Sequence, residues 1–113
     1  MTRDLQFLMQ DIIESISRIE EYTEDVDKEG FLAETWVQDA VIRRLEVIGE
    51  AVKNMPTDFR ARYPDIPWAQ IAGMRDVLIH GYFGVNLERV WLVVQKDLPD
   101  LKARISQIVH ETE

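Results

Sequence analysis

The spacing of the apolar residues constrains this chain more than any other feature. From Leu5 they recur at Leu8, Ile12, Ile16 and Ile19, steps of three and four that collect on one face of an α-helix. Thr2 is placed to cap that helix, and Asp4 suits the positive end of its dipole. The pattern fades at Tyr22-Thr23, and Gly30 closes an acidic turn. A second helix is predicted from about Phe31 to Asn54. Its apolar set, which includes Leu32, Trp36, Val37, Val41, Leu45, Ile48 and Val52, is wide enough to touch more than one neighbour. Gly49 sits inside it at a propensity cost of about 1 kcal/mol, which close approach of another helix would offset. Pro56 ends the helix.

Residues 56–66 read as a connector with room for one helical turn, its Phe59 and Tyr63 capping the core. Pro67 suits the first position of a third helix with Trp68, Ile71, Ala72, Leu78 and Ile79 inside and Gly81 as its stop. Asn86 then caps a fourth helix with Leu87, Val90, Trp91 and Val94 on its inner stripe. Asp97-Leu98-Pro99 is expected to break that helix before a fifth bearing Leu101, Ile105, Ile108 and Val109. No stretch alternates with period two and no Asn-Gly or Asp-Gly turn occurs. The expected fold is all-α, an antiparallel up-and-down bundle of four main helices plus a short extra one, with residues 1–113 forming a single domain.

With no cysteine in 113 residues, disulfide frameworks, thiolate metal sites and cysteine nucleophiles are excluded. The apolar runs are too short to span a membrane, and Met1-Thr2-Arg3-Asp4 opens an amphipathic helix rather than a signal peptide. The expected compartment is the cytoplasm. A net charge of −8 argues against a nucleic-acid partner until its distribution is considered. Residues 1–52 hold 13 acids and 5 bases, whereas residues 53–113 hold 8 of each. The excess gathers between Glu20 and Glu29, which reads either as a solvated turn or as a docking surface for a basic partner.

Two histidines without a His-Glu-x-x-His arrangement give zinc little to bind, and Gly81-Tyr82-Phe83-Gly84 lacks the lysine of a phosphate loop. His110 fits a solvated helix end. What remains is Arg75-Asp76-Val77-Leu78-Ile79-His80-Gly81-Tyr82, polar groups crowded at the end of an apolar helix. A histidine, with an unperturbed pKa near ~6.5, gives or takes a proton at neutral pH. An arginine offers a charged fork to phosphate oxygens. Together they can cleave RNA without a metal: His80 moves the proton of the 2′-hydroxyl or of the leaving 5′-oxygen, and Arg75 stabilises the charge on phosphorus. Five residues rotate about 140° around a helix, so Arg75 and His80 do not share a face, whereas Asp76 and His80 do and Asp76 is placed to orient the imidazole. Gripping one phosphate with both then needs an unwound helix at Gly81 or a second subunit. The competing reading is structural: Arg75 pairs with Glu50 or Glu46 across the bundle, and His80-Gly81 is only a helix cap.

The stretch from Pro67 to Val85 resembles the signature of HepT-like proteins of the HEPN superfamily. So do Ala40 to Ala51, Val90-Trp91 and Asp97-Leu98-Pro99, and the likeness covers nearly the whole chain. It implies a small helical toxin that acts as a homodimer and cuts RNA with neither metal nor other cofactor. The family's Arg-x(4)-His-x-Tyr motif falls on Arg75, His80 and Tyr82, the first two being the catalytic pair. Asp76 stands where the family usually has a polar residue. Tyr82 matches the tyrosine to which an MntA-type nucleotidyltransferase antitoxin transfers adenylate, bulk and negative charge that would repel RNA. A non-catalytic helical adaptor for such a nucleotidyltransferase is the alternative.

Overall fold

The computed structural model describes residues 2–80 and 86–112, with backbone alone for residues 77–80. It is an all-α bundle, and the described residues include no strand. Its elements are α1 (Arg3–Thr23), α2 (Lys28–Ala33), α3 (Thr35–Lys53), α4 (Thr57–Ala61), α5 (Trp68–His80), α6 (Leu87–Leu92), a π-helical stretch (Val93–Asp97) and α7 (Leu98–Glu111).

Helix α1 begins where Thr2 Oγ1 accepts the Leu5 N–H at 3.2 Å. Its stripe of Leu5, Met9, Ile12, Ile16 and Ile19 is buried. Against it lie Val37, Val41, Leu45, Ile48 and Val52 of α3 and Ile105 and Ile108 of α7, each buried. Side chains of this size each gain about 1.5–3 kcal/mol from leaving water, so the periodic stripe itself holds the bundle. Helix α3 is the central element and packs on both α1 and α5, while α7 covers α1.

The single helix predicted from Phe31 to Asn54 is two helices. Asp27 caps α2 through the Gly30 N–H at 2.7 Å, so Gly30 lies inside a helix rather than closing the turn. The break falls at Glu34, whose backbone is extended. There the Gln38 side chain donates to the Phe31 and Leu32 carbonyls at 2.9 and 3.1 Å, supplying donors that a continuing helix would have provided. The kink turns Phe31 inward onto Trp91, ring centroids 5.3 Å apart.

The expected break at Asp97-Leu98-Pro99 is absent. Helical hydrogen bonding instead widens to a π register, with the Leu98 N–H reaching the Val93 carbonyl. Pro99 has no N–H and its ring would press on the carbonyl four residues earlier, so a wider turn just before it lets the chain continue as helix. Asn86 caps α6 as predicted, accepting the Arg89 N–H at 3.1 Å. The connector carries one helical element, α4, and Phe59 packs on Tyr63 and on Trp68. Of the three tryptophans, Trp68 is buried and Trp91 half-buried, but Trp36 is 63% exposed and takes no part in the core.

Candidate active site

The candidate side chains come from the second halves of α3 and α5, and a missing side chain brings those helices together. A Cβ on Gly49 would lie 2.7 Å from Arg75 Cβ and 3.1 Å from the Ile71 carbonyl oxygen. Only glycine permits this approach, the compensation its propensity cost implied.

The next residue of α3 uses that proximity. Glu50 Oε2 lies 2.5 Å from Arg75 Nε, so of its two candidate acids Arg75 pairs with Glu50. Glu46 pairs weakly with Arg43 instead, at 3.6 Å. The enclosed Oε2 has no hydrogen-bond donor aligned on it among the described residues. Its contact with Nε is therefore ionic, fixed by the packing of α3 on α5 rather than by a straight N–H bond. Glu50 Oε1 accepts from Asn54 Nδ2 at 3.2 Å, and the same amide reaches the Glu50 carbonyl at 3.0 Å. On the other flank Asp76 Oδ1 stands 3.3 Å from Arg75 Nη1 and 3.7 Å from Lys53 Nζ.

These contacts ring a cleft of about 250 Å³ lined by Leu8, Asp11, Arg43, Glu46, Val47, Glu50, Ala51, Asn54 and Arg75. Arg75 remains 29% exposed at its edge. A guanidinium so placed is oriented yet reachable by a solute anion. Of the four predicted site residues, Arg75 and Asp76 are adjacent and in contact. The His80 side chain and all of Tyr82 lie outside the described residues, so the expected Asp76–His80 contact does too. Among the described residues Asp76 faces cations, Arg75 and Lys53.

Lys53 and Asn54 carried no functional signal in the sequence, and Glu50 entered as a salt-bridge partner for Arg75 across the bundle. Their pattern is faint: three polar residues following a helix-interior glycine at one, four and five positions. The acidic segment is partly engaged in the fold. Glu20 accepts from Lys102 at 2.6 Å, Glu21 lies near Arg18 at 3.8 Å, and Asp27 caps α2. Away from the cleft, hydrogen bonding from Arg104 holds the Asp65 carboxyl below its ordinary value of 3.8. That guanidinium also lies 5.3 Å above the Tyr63 ring.

A sequence profile of the family described as Ribonuclease HepT-like matches residues 12–108, most of the chain. The chain belongs to the HepT-like ribonuclease family. A Thermococcus cleftensis protein named probable ribonuclease HepT is 46% identical over 108 residues, covering 96% of this chain and 98% of its own. A Methanocaldococcus jannaschii protein, whose name couples gamma-glutamylcyclotransferase and RNase, is 50% identical over 111 residues. That match takes in 98% of this chain but only 50% of the relative, so the HepT-like chain spans about half of that longer protein. A Caldanaerobacter subterraneus relative with RNase in its name is 38% identical over 103 residues, 91% of this chain and 92% of its own. No solved structure matches. Among the described residues no helix is long and apolar enough to cross a membrane.

Proposed function

We propose that this HepT-like chain is a metal-independent endoribonuclease, the cytoplasmic toxin of a toxin–antitoxin pair, with Arg75 and His80 as its catalytic residues. The observation that carries the reading is the cleft-edge arginine, oriented by Glu50 and Asp76 and still open to solvent. In the reaction one imidazole takes the proton of the 2′-hydroxyl and the 2′-oxygen bonds to phosphorus. The P–O5′ bond then breaks, and an imidazolium gives the departing 5′-oxygen its proton. Arg75 stabilises the additional negative charge on the phosphoryl oxygens. The products are a 2′,3′-cyclic phosphate and a 5′-hydroxyl. Asp76 orients His80, one position of whose helix turn it shares.

Two copies supply the two imidazoles. The homodimer is supported by α5, which among the described residues packs chiefly on α3 and turns Ile71 and Met74 toward an open groove. Ile71, Ala72 and Met74 remain half-buried. Tyr82 follows the helix bearing His80 by two residues, and its adenylylation by an MntA-type nucleotidyltransferase would place negative charge beside the phosphate site. The adaptor alternative has less behind it, since two of the acids that motivated it, Asp27 and Glu20, cap and brace the chain's own helices.

Purified protein should cut RNA in the presence of EDTA and leave 2′,3′-cyclic phosphate ends. His80→Ala should lose roughly 100- to 10,000-fold in rate. Cleavage that stops with the chelator, or that survives His80→Ala, overturns the reading. Mass spectrometry after co-expression with the nucleotidyltransferase should show adenylate-sized increments that Tyr82→Phe abolishes.

A further inference from the structure

We infer that Glu50 is a positioning residue for the cleavage reaction, a carboxylate that holds the Arg75 guanidinium in one orientation at the cleft edge, where phosphate can reach it. The inference rests on the ribonuclease reading above and adds to it a residue outside the Arg-x(4)-His-x-Tyr motif. Glu50 Oε2 occupies Nε of Arg75 at 2.5 Å, and Asp76 stands 3.3 Å from Nη1. Among the described residues the one hydrogen bond from the Arg75 guanidinium is that of Nη1 to Asp76, and the side chain stays 29% exposed, so donors remain for a substrate oxygen. A long arginine side chain otherwise spreads over many rotamers, and an unplaced catalytic charge contributes little.

The carboxylate is itself held. Asn54 ends α3 and donates to Oε1 of Glu50, while Gly49 lets the whole segment close on Arg75. The resulting chain runs from Asn54 through Glu50 to Arg75, and from Lys53 through Asp76 to the same guanidinium. Glu50 carries a negative charge beside a site meant for phosphate, which disfavours substrate binding. Its contribution therefore has to lie in orientation, and that gives it a kinetic signature a merely structural residue lacks.

Glu50→Ala should lower kcat by roughly 30- to 100-fold, the range expected when a catalytic group shifts by about 1 Å. KM for a short RNA should stay level or fall, because an anion has been removed. Glu50→Asp, which keeps the charge, should recover more of the loss than Glu50→Gln, which keeps only the shape. Adding Arg75→Ala to Glu50→Ala should cost no more than Arg75→Ala alone. The clamp itself is read without activity, from the NMR signal of the Arg75 Nε–H, whose exchange with water should quicken in Glu50→Ala. Wild-type kcat in Glu50→Ala, a raised KM as the sole effect, or additive losses would overturn the positioning role. An Arg75 signal indifferent to Glu50 would overturn the clamp while leaving cleavage intact. Wild-type protein that cuts no RNA would instead bring down the ribonuclease reading, and the positioning role with it.

Discussion

Replacing Gly49 by alanine tests the geometry on which the site is built. Helix propensity alone favours the change by about 1 kcal/mol. The added methyl would sit 2.7 Å from Arg75 Cβ, 3.1 Å from the Ile71 carbonyl oxygen and 3.2 Å from the Arg75 nitrogen, where ordinary contact is 3.4–4 Å. None of these atoms is the far end of a flexible side chain, so α3 and α5 must part by about 1 Å. Overpacking of this kind costs about 1–3 kcal/mol, which leaves a net loss near 1 kcal/mol. Gly73→Ala supplies the control on the same pair of helices, because its Cβ would meet nothing within 4 Å and only the propensity gain of about 1 kcal/mol remains. The two variants share their effect on the unfolded chain, so their difference of about 2 kcal/mol reports native packing. Urea unfolding of both proteins measures it. Gly49→Ala should also lose roughly 100-fold in RNA cleavage, since the displaced backbone carries Arg75. A Gly49→Ala protein as stable as Gly73→Ala refutes the close approach, and with it the account of how Glu50 reaches Arg75.

Other sites give independent checks. Ser15 Oγ is buried with no hydrogen-bond partner among the described residues, so Ser15→Ala should raise stability by about 0.5–1 kcal/mol in the same unfolding assay. Trp68 Nε1 donates to the Arg60 and Tyr63 carbonyls, each at 3.0 Å, and Trp68→Phe should cost about 1–2 kcal/mol by depriving both of that donor. Asp65 has its carboxyl lowered by hydrogen bonding from Arg104, and a depressed folded pKa stabilises above the unfolded value. That contribution should fade as pH falls from about 4 through the folded value, and an acid titration of Asp65→Asn should lack it. Because the pair is exposed, the difference should be small and shrink with added salt.

The stripes of α1, α3 and α7 were legible because burial repeats every three or four residues and the sequence repeats with it. Caps were legible at Thr2 and Asn86 for a similar reason: a short polar side chain there has one dominant use. The break at Glu34 was not, since neither glycine nor proline marks it. Its support comes from Gln38, one turn further on and reaching backward, an arrangement with no local signature. Pro99 misled in the opposite direction. Its lost N–H ordinarily ends a helix, and nothing in the sequence indicated that the preceding turn would widen to carry the chain past it.

The candidate site was harder to read than either, because its meaning lies in a pairing between two helices. An ion pair with Glu50 and a role in catalysis were competing explanations for Arg75 while only the sequence was considered. The geometry makes the two compatible. A pair sunk in the core would withdraw the guanidinium from any substrate, and the desolvated charge would serve packing alone. This pair lies at the edge of a cleft, with Arg75 29% exposed and Glu50 47% exposed. On the proposed reading the same contact serves function, since an arginine waiting for phosphate binds faster and more selectively when its orientation is already set. Gly49 is what makes that contact possible. A residue chosen for having no side chain therefore determines where the charged group beside it comes to rest.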